Sequence, residues 1–360
     1  MESLPWIEKY RPKSIIDIKQ DDSIINLFTN AIKTREIPHF LLHGPPGTGK
    51  TSTILAFGRE IFKEYFQDRI IEFNASDDRG INAVREKITH DARLSVTETI
   101  SSDGTIIPPY KIIILDEADH MTEEAQSALR VIIEEYSSVT RFCFICNYIS
   151  KITPAIRSRC SSIYFKRLDN DLMKNKLKTI AETENVKIDD NIYQTIINVA
   201  NGDMRNAIMI LQNIKYLSEY KNILNKPFDK MSSKELKFFL QVCNKNKISK
   251  YISISDVYKI AAVIELEQAN QIIEDCINCK NILEISHLSK KIISIGYPID
   301  NVMIQLNKAC LISNKLSQEQ KAHIFIYAGK IFLRMKESSS EYIQILDYLS
   351  FSYRIIKGCN

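Results

Sequence analysis

A short segment near the start of the chain has the residue types of a phosphate-binding loop. Residues 44–51 read GPPGTGKT, which fits the pattern GxxxxGK[ST]. Glycines let backbone N–H groups approach phosphate oxygens, the lysine reaches the β- and γ-phosphates, and the final hydroxyl coordinates Mg²⁺. We therefore expect ATP and Mg²⁺ to be bound here, by Gly44, Pro45, Pro46, Gly47, Thr48, Gly49, Lys50, Thr51 and Ser52.

A second acidic element supports the same chemistry. The apolar run 112–115 ends in Asp116 and Glu117. Beside a phosphate loop, Asp116 is expected to hold Mg²⁺ through water, and Glu117 to polarise the water that attacks the γ-phosphate. The letters DEAD at 116–119 also suggest a helicase, but that class needs two tandem α/β domains and the second half of this chain is helical.

Two further polar residues are placed where a hydrolase needs them. Asn147 follows an apolar strand pattern, so it is expected to emerge near the γ-phosphate and orient water. Arg205 opens a helix after Asp203, a predicted N-cap, and can reach the phosphates from that side. Each residue alone has an ordinary surface interpretation; their positions relative to the loop and the acidic pair favour the catalytic one.

Strands and helices alternate in the first half of the chain and position these groups. Continuous apolar runs separated by helical patterns predict a parallel sheet covered on both faces. The predicted strands are His39–His43, Ile70–Ala75, Tyr110–Leu115, Arg141–Cys146 and Ser162–Phe165, and the loop is followed by a predicted helix, Thr51–Phe62. We expect this α/β domain to span residues 1–168.

The remainder of the chain has helical patterns only. Three helices are predicted at 169–185, 190–201 and 204–217, forming a lid domain of residues 169–218. Residues 219–254 are rich in Lys and Asn and predict a linker or insertion with one short helix. Four or five amphipathic helices then predict a C-terminal bundle over 255–360, with a capping box that starts at Ser317.

Composition limits the possible function classes. The 360 residues carry 48 basic and 44 acidic side chains, a net charge of +4, so any phosphate contact must come from local clusters. No long apolar stretch and no signal-peptide pattern is present, so we expect an intracellular protein without a membrane span. Eight cysteines are expected to be reduced. Zinc is disfavoured because Cys143 and Cys146 fall on opposite faces of a strand.

Several motifs together resemble the AAA+ small subunits of replication factor C, the eukaryotic sliding-clamp loader. The resemblance is dense from Pro5 to about Leu217 and is strongest for the subunit numbered four in animals and two in yeast. It rests on the segments WIEKYRP at 6–12, GPPGTGKTST at 44–53, NASDDRG at 74–80, LDEAD at 115–119, SRC at 158–160 and GDMR at 202–205. It implies an AAA+ domain with a five-stranded parallel sheet, an all-α lid and an all-α collar.

Roles for individual residues follow from this resemblance. Ile7 and Arg11 would line the adenine pocket, Asn147 would be sensor 1 and Arg205 sensor 2. Arg159 would be an arginine finger that serves the neighbouring subunit's ATP, because a guanidinium offers paired donors to developing phosphoryl charge. The plainer alternatives are a basic N-terminal arm and a surface arginine.

DNA contacts are implied in the same way. Arg79 lies at the start of a predicted helix, 81–94, and Arg85 lies within that helix. Arg130 lies on a later predicted helix. In the family such arginines follow the phosphates of the duplex. Val131 replaces a second basic residue expected after Arg130, which leaves that part of a DNA-to-nucleotide relay in doubt. Ordinary surface charge remains the alternative for all three.

The resemblance also implies partners and a location. The expected complex is a hetero-pentamer of clamp-loader subunits that loads the sliding clamp (PCNA) onto primer-template DNA in the nucleus. Two alternatives stay open: a nucleotide-binding structural subunit with little turnover, and another AAA+ DNA motor. The intact Lys50, Asp116 and Glu117 disfavour the first, and the lack of an aromatic pore loop between the two motifs disfavours the second.

Overall fold

A computed structural model describes residues 4–18, 20–75, 81–224, 252–337 and 340–358. Two units emerge from the internal packing: residues 1–187 with 200–212, and residues 188–199 with 213–360. The division into domains at residues 168, 218 and 254 stays a prediction.

Five parallel strands form the main sheet of the first unit. Their order is β2-β5-β6-β1-β7, and every neighbouring pair is parallel. The strands, with the two of a separate hairpin, are β1 (Phe40–His43), β2 (Ile70–Asn74), β3 (Thr99–Ile100), β4 (Ile106–Ile107), β5 (Lys111–Asp116), β6 (Thr140–Cys146) and β7 (Ser161–Tyr164). All five predicted strands are confirmed, each within one residue at either end.

Helices cover this sheet and continue beyond it. They are α1 (Trp6–Lys9), α2 (Asp22–Thr34), α3 (Lys50–Phe62), α4 (Phe66–Arg69), α5 (Ile81–Arg93), α6 (Glu123–Tyr136), α7 (Pro154–Arg157), α8 (Asn170–Thr183), α9 (Asp190–Ala200) and α10 (Met204–Leu224). Short 3₁₀ turns occur at Ile15–Asp17, Lys63–Tyr65, Ala118–His120 and Ile149–Lys151. Helix α10 extends past Leu217, where the prediction ended it, so the start of the predicted linker is helical.

Alternation along the central strands separates two apolar cores. Ile112 and Ile114 pack with Phe57 of α3 on one face, and Ile113 packs with Leu129 of α6 on the other. Successive side chains of a strand point to opposite faces, which is why near-continuous apolar strands are stable only between two helical layers. Cys143 and Cys146 belong to different cores and therefore point to opposite faces, as predicted.

The sequence did not predict the hairpin of β3 and β4, whose two-residue strands pair antiparallel. The side chain of Arg69 stabilises this hairpin. The residue is 3% exposed, and its guanidinium donates to the carbonyls of Thr97 at 2.8 Å and Tyr110 at 3.2 Å, on either side of the hairpin. Burial lowers the pKa of Arg69. A buried guanidinium needs such acceptors, so it holds both ends of the hairpin together.

Six helices follow in the described residues of the C-terminal part, against a prediction of four or five. They are α11 (Ile254–Ile260), α12 (Leu266–Asn278), α13 (Ile282–Ser294), α14 (Ile299–Ile312), α15 (Gln318–Met335) and α16 (Glu341–Lys357). The difference is the short α11. The capping box at Ser317 is confirmed, with Gln320 as its partner. Tyr348 lies fully buried in the shared core, where its hydroxyl donates to Asn307 at 2.9 Å.

An ion pair joins the end of α10 to the start of α11. Lys221 Nζ lies 2.6 Å from Asp256 Oδ2, and the two side chains are 6% and 17% exposed. Asp256 also completes a capping box with Ser253. The short helix predicted within the Lys/Asn-rich insertion lies outside the described residues. In the described part of the chain, no helix is both long and apolar enough to cross a membrane.

Candidate nucleotide-binding site

The predicted catalytic groups meet at one edge of the sheet. Strands β5, β6 and β1 are neighbours, and all run in the same direction. Asp116 ends β5, Asn147 follows β6, and Gly44 follows β1. The carboxyl ends of parallel strands share an edge, so the topology alone brings these three positions together.

The loop between β1 and α3 has the backbone of an anion-binding site. Gly49, the N-cap of α3, has φ 93° and Gly44 has φ 142°, values that side-chain-bearing residues rarely adopt. A Cβ atom on Gly44 would lie 2.2 Å from the carbonyl oxygen of Phe165. Helix α3 therefore begins directly at the loop, and its first N–H groups and dipole favour phosphate there.

Lys50 is buried at the centre of the site. Its side-chain ammonium donates to the carbonyls of Gly44 at 2.8 Å and Pro45 at 2.7 Å, and to Asn147 Oδ1 at 3.1 Å. The residue is only 7% exposed. Desolvation lowers the pKa of Lys50, with Asp116 opposing and Arg205 adding to that shift. The ammonium and Asn147 thus form one hydrogen-bonded unit between the phosphate loop and β6.

Asp116 and Thr51 provide a pair of oxygen ligands. Thr51 Oγ1 donates to Asp116 Oδ2 at 2.8 Å, and the other carboxylate oxygen accepts from the backbone N–H of Glu117 at 2.8 Å. A hydroxyl and a carboxylate are the hard oxygen donors that Mg²⁺ prefers, so this pair fits that ion. Glu117 has φ 55°, a left-handed conformation that costs roughly 1 kcal/mol for such a residue and is frequent at functional sites.

One pocket collects nearly all of the predicted nucleotide contacts. Its lining includes Ile7, Arg11, Pro46, Gly47, Thr48, Gly49, Lys50, Thr51, Ser52, Asp116, Glu117, Asn147 and Arg205. Gly44 and Pro45 are not part of the lining; their carbonyls hold Lys50 instead. The pocket lining therefore combines the charged side chains that phosphate and Mg²⁺ need with apolar residues such as Ile7 that suit a base.

Sequence reasoning missed several groups around this pocket. Tyr10 and Lys176 line it, and no motif singled out Lys176. Gln20 donates to the carbonyl of Thr48 at 2.9 Å and thereby supports the phosphate loop. The backbone N–H of Met204 donates to the carbonyl of Gly47 at 3.2 Å, and Asp203 caps α10 through the N–H of Asn206, as predicted. The helix that carries Arg205 is thus attached to the loop.

Arg159 lies elsewhere on the first unit, between α7 and β7, and does not line the pocket. Its Nε donates to Glu134 Oε1 of α6 at 2.8 Å, and a second guanidinium nitrogen contacts the same oxygen. A third donates to the carbonyl of Ala155 at 2.7 Å. The Arg159 side chain remains 33% exposed. It is held in place at the surface, away from the nucleotide pocket of its own chain.

The three predicted DNA contacts are only partly described. Arg79 lies outside the described residues, as does the side chain of Arg85, whose backbone belongs to α5. Arg130 is exposed on α6, next to Val131, which is 50% exposed. Helices α5 and α6 share a core through Ile88 and Leu129. The structure therefore puts Arg130 on the solvent side of this helix pair.

A phosphate loop between a central parallel strand and a helix, faced by an acidic strand end, defines a P-loop ATPase. The family models agree. Residues 40–168 match "ATPase family associated with various cellular activities (AAA)", and residues 175–216 match "RCF1/5-like, AAA+ ATPase lid domain". The chain is accordingly a nucleotide-binding AAA+ ATP hydrolase with a helical lid. A third model, "Replication factor C C-terminal domain", matches residues 265–350.

Relatives extend the match over nearly the whole chain. An Acanthamoeba polyphaga mimivirus protein, described as a replication factor C small subunit, is 60% identical over 99% of this chain and 98% of its own. Replication factor C subunit 2 of Schizosaccharomyces pombe is 35% identical over 97% of this chain and 94% of its own. The human replication factor C subunit 4 is 36% identical over 95% of this chain and 86% of its own. This chain belongs to the replication factor C small-subunit family, which confirms the resemblance drawn from its motifs.

A solved structure with a similar fold supports the assignment of the fold. A mutant of Thermotoga maritima RuvB aligns with a TM-score of 0.50 and 16% identity, covering 83% of this chain and 92% of the RuvB chain. At this identity the likeness concerns the AAA+ fold alone.

Proposed function

We propose that this chain is an ATPase subunit of a hetero-pentameric clamp loader, which opens the sliding clamp (PCNA) and places it on primer-template DNA. The observation that carries the proposal is that the hydrolytic groups and Arg159 lie at separate places in the chain. A complete set of hydrolytic groups surrounds Lys50, while Arg159 stands on a separate surface. The first feature suits hydrolysis in this chain, and the second suits a contribution to a neighbour.

In this proposal, ATP binds with its phosphates at the loop and at the N-terminus of α3. Lys50 neutralises the β- and γ-phosphates, while the wall containing Ile7 and Arg11 contacts the adenine end. Glu117 accepts a hydrogen bond from the attacking water, and Asn147 orients that water. Thr51 and Asp116 would hold Mg²⁺, which neutralises phosphate charge when bound. Arg205 reaches the phosphates from the N-terminus of α10.

Arg159 acts in trans in the proposed complex. A guanidinium offers paired donors to charge that develops on the transferred phosphoryl group, and such fingers contribute about 10³–10⁵ in rate. Because Arg159 does not line the pocket of its own chain, hydrolysis at the neighbouring site depends on subunit contact. We accordingly expect little ATPase activity from the isolated chain.

DNA binding and location complete the proposal. Arg79, Arg85 and Arg130 would contact the DNA backbone, and the net charge of +4 limits what one chain supplies alone. We expect weak, strongly salt-dependent DNA binding by the isolated chain. The eukaryotic relatives support a nuclear location, although a viral relative also exists. Fluorescence imaging of the tagged chain in its host tests that location.

ATP hydrolysis by a reconstituted complex tests the catalytic role of this chain. The Glu117→Gln variant should lower the rate stimulated by clamp and primed DNA, whereas Glu124→Gln, an exposed carboxylate of α6, should not. Unchanged stimulated hydrolysis with Glu117→Gln would mean that this chain binds nucleotide as a structural subunit.

The mass of the purified complex tests the type of assembly. Association with four different related chains is expected. A closed homohexamer would contradict the clamp-loader proposal and would favour another AAA+ DNA motor.

A further inference from the structure

A buried carboxylate at the end of helix α8 is outside the nucleotide pocket and has no role in the proposed chemistry. The Glu184 side chain is 8% exposed. Its Oε1 accepts a hydrogen bond from the Tyr10 hydroxyl at 2.6 Å and lies 2.5 Å from Lys9 Nζ. The family model for the lid spans residues 175–216, so Glu184 is a lid residue, whereas Lys9 and Tyr10 belong to the N-terminal segment.

The same segment is attached to the lid at a second point. The backbone N–H of Trp6 donates to Gln212 Oε1 of α10 at 3.3 Å, and the Trp6 side chain is 5% exposed. The rings of Trp6 and Tyr10 also meet edge to face, with centroids 6.1 Å apart. Helix α1 is therefore held at its start by α10 and just past its end by the residue that follows α8.

The segment held in this way forms a wall of the nucleotide pocket. Ile7, Tyr10 and Arg11 line the pocket, but Glu184 and Lys9 do not. Glu184 therefore does not contact the pocket itself, but it can influence bound nucleotide through the position of α1 and Tyr10. A carboxylate removed from water is costly unless charge-assisted hydrogen bonds compensate, so this contact constrains where Tyr10 can lie.

We propose that Glu184 is a positioning residue for nucleotide binding: it holds the N-terminal wall of the pocket against the lid so that the wall contacts the nucleoside part of ATP. This inference rests on the proposed function insofar as ATP is the ligand. Burial and the hydrogen bond to Glu184 both raise the pKa of Tyr10, so its hydroxyl remains a donor at neutral pH. The contact links the adenine end of the pocket to the lid that carries Arg205.

The test compares ATP with inorganic tripolyphosphate, which has the phosphates but no nucleoside. Calorimetry on the full chain with Mg²⁺ gives the Kd of each ligand. For Glu184→Gln, which keeps the shape and loses the charge, we expect the Kd of ATP to rise about tenfold and that of tripolyphosphate to stay within about twofold. The matched control is Glu182→Gln, an exposed carboxylate near the end of the same helix, which should change neither Kd.

A second variant separates positioning from folding. Tyr10→Phe removes only the hydroxyl that Glu184 accepts, and it should raise the ratio of the two Kd values in the same direction. The double variant should add little to Glu184→Gln, because both changes break one contact. Thermal melting shows whether each variant folds. If Glu184→Gln does not fold, the Kd values of Tyr10→Phe for the two ligands test the positioning role.

Two outcomes contradict the inference alone, and a third contradicts the proposed function as well. An equal loss of affinity for both ligands, or an unchanged affinity for ATP in folded Glu184→Gln and Tyr10→Phe, would overturn the positioning role and leave the proposed function intact. Failure of the unaltered chain to bind ATP at all would overturn the proposed function, and the inference with it.

Discussion

Lys50 and Arg159 carry their positive charges in two different environments, one buried and one at the surface. Lys50 is 7% exposed and has three acceptors within its own chain, from the phosphate loop and Asn147. The Arg159 side chain is 33% exposed and is held by Glu134, itself 48% exposed, and by one backbone carbonyl. The first cation lies inside a pocket, whereas the second lies on a surface.

This difference shows which steps the chain can carry out alone. Inside a pocket of low dielectric constant, fixed donors interact strongly with phosphate and need no further ordering. At the surface, water and salt weaken the same interaction until a partner excludes them. Nucleotide binding should therefore be a property of the single chain, and fast hydrolysis a property of the contact between chains.

The largest expected effect comes from Arg159→Ala. If Arg159 acts in trans as proposed, the hydrolysis rate at the neighbouring site should fall about 10³-fold, because developing charge loses its paired donors. The affinity of the isolated chain for ATP should stay unchanged. Pre-steady-state hydrolysis in the reconstituted complex measures the loss of one site. Arg157→Ala, at the end of α7 two residues before Arg159, is the control, and a loss of ATP affinity in isolated Arg159→Ala would contradict the comparison.

The next effect is expected for Lys50→Ala in the isolated chain. If this buried ammonium contacts phosphate as proposed, its removal should weaken ATP binding at least about a hundredfold. Calorimetry on the single chain measures it, and Lys33→Ala, from the exposed side of α2, should bind normally. Near-normal ATP affinity without Lys50 would show that the pocket is not the principal nucleotide site.

A smaller effect is expected for Glu134→Gln. An exposed ion pair contributes about 0.2–1 kcal/mol, so loss of this charge should slow hydrolysis at the neighbouring site by at most about fivefold. Glu135→Gln is the matched control on α6. The difference between the two variants should shrink in high salt, since salt screens exposed pairs. A loss as large as that of Arg159→Ala would mean that Glu134 contributes more than orientation.

The smallest expected effect concerns pH. Desolvation lowers the pKa of Lys50 from its ordinary value of 10.5, so the free chain loses this positive charge at a lower pH than an exposed lysine would. Bound phosphate favours the charged form, and ATP affinity should therefore fall as pH rises through that lowered pKa. Calorimetry in two buffers of different ionisation enthalpy should detect proton uptake on binding, increasing with pH. No uptake at any alkaline pH would contradict this prediction.

Local patterns were enough to predict the sheet and the phosphate site. The strands around Ile113 and Phe144 are continuous apolar runs, and the residues that follow parallel strands must meet at one edge. The sequence alone is therefore enough to group Lys50, Asp116 and Asn147. The site was predictable because its parts lie at fixed positions relative to the strands.

Contacts between segments distant in sequence could not be predicted in this way. The two-residue strands of the β3–β4 hairpin are too short for a periodic signal, and the buried Arg69 looks like any surface arginine in sequence. Gln20 and Glu184 likewise gain their roles only when the chain brings Thr48 and Tyr10 to them. Helix α10 was predicted too short because its apolar stripe ends near Ile214, while the ion pair of Lys221 lies further along.

The Lys221–Asp256 pair also has a practical consequence for protein engineering. It connects the end of α10 to the start of α11, with 2.6 Å between Nζ and Oδ2. The entropy cost of closing a loop rises only slowly with its length, by about 0.6 kcal/mol per doubling. An epitope tag or fluorescent reporter inserted between residues 224 and 252 should therefore cost the fold little stability as long as this ion pair is kept.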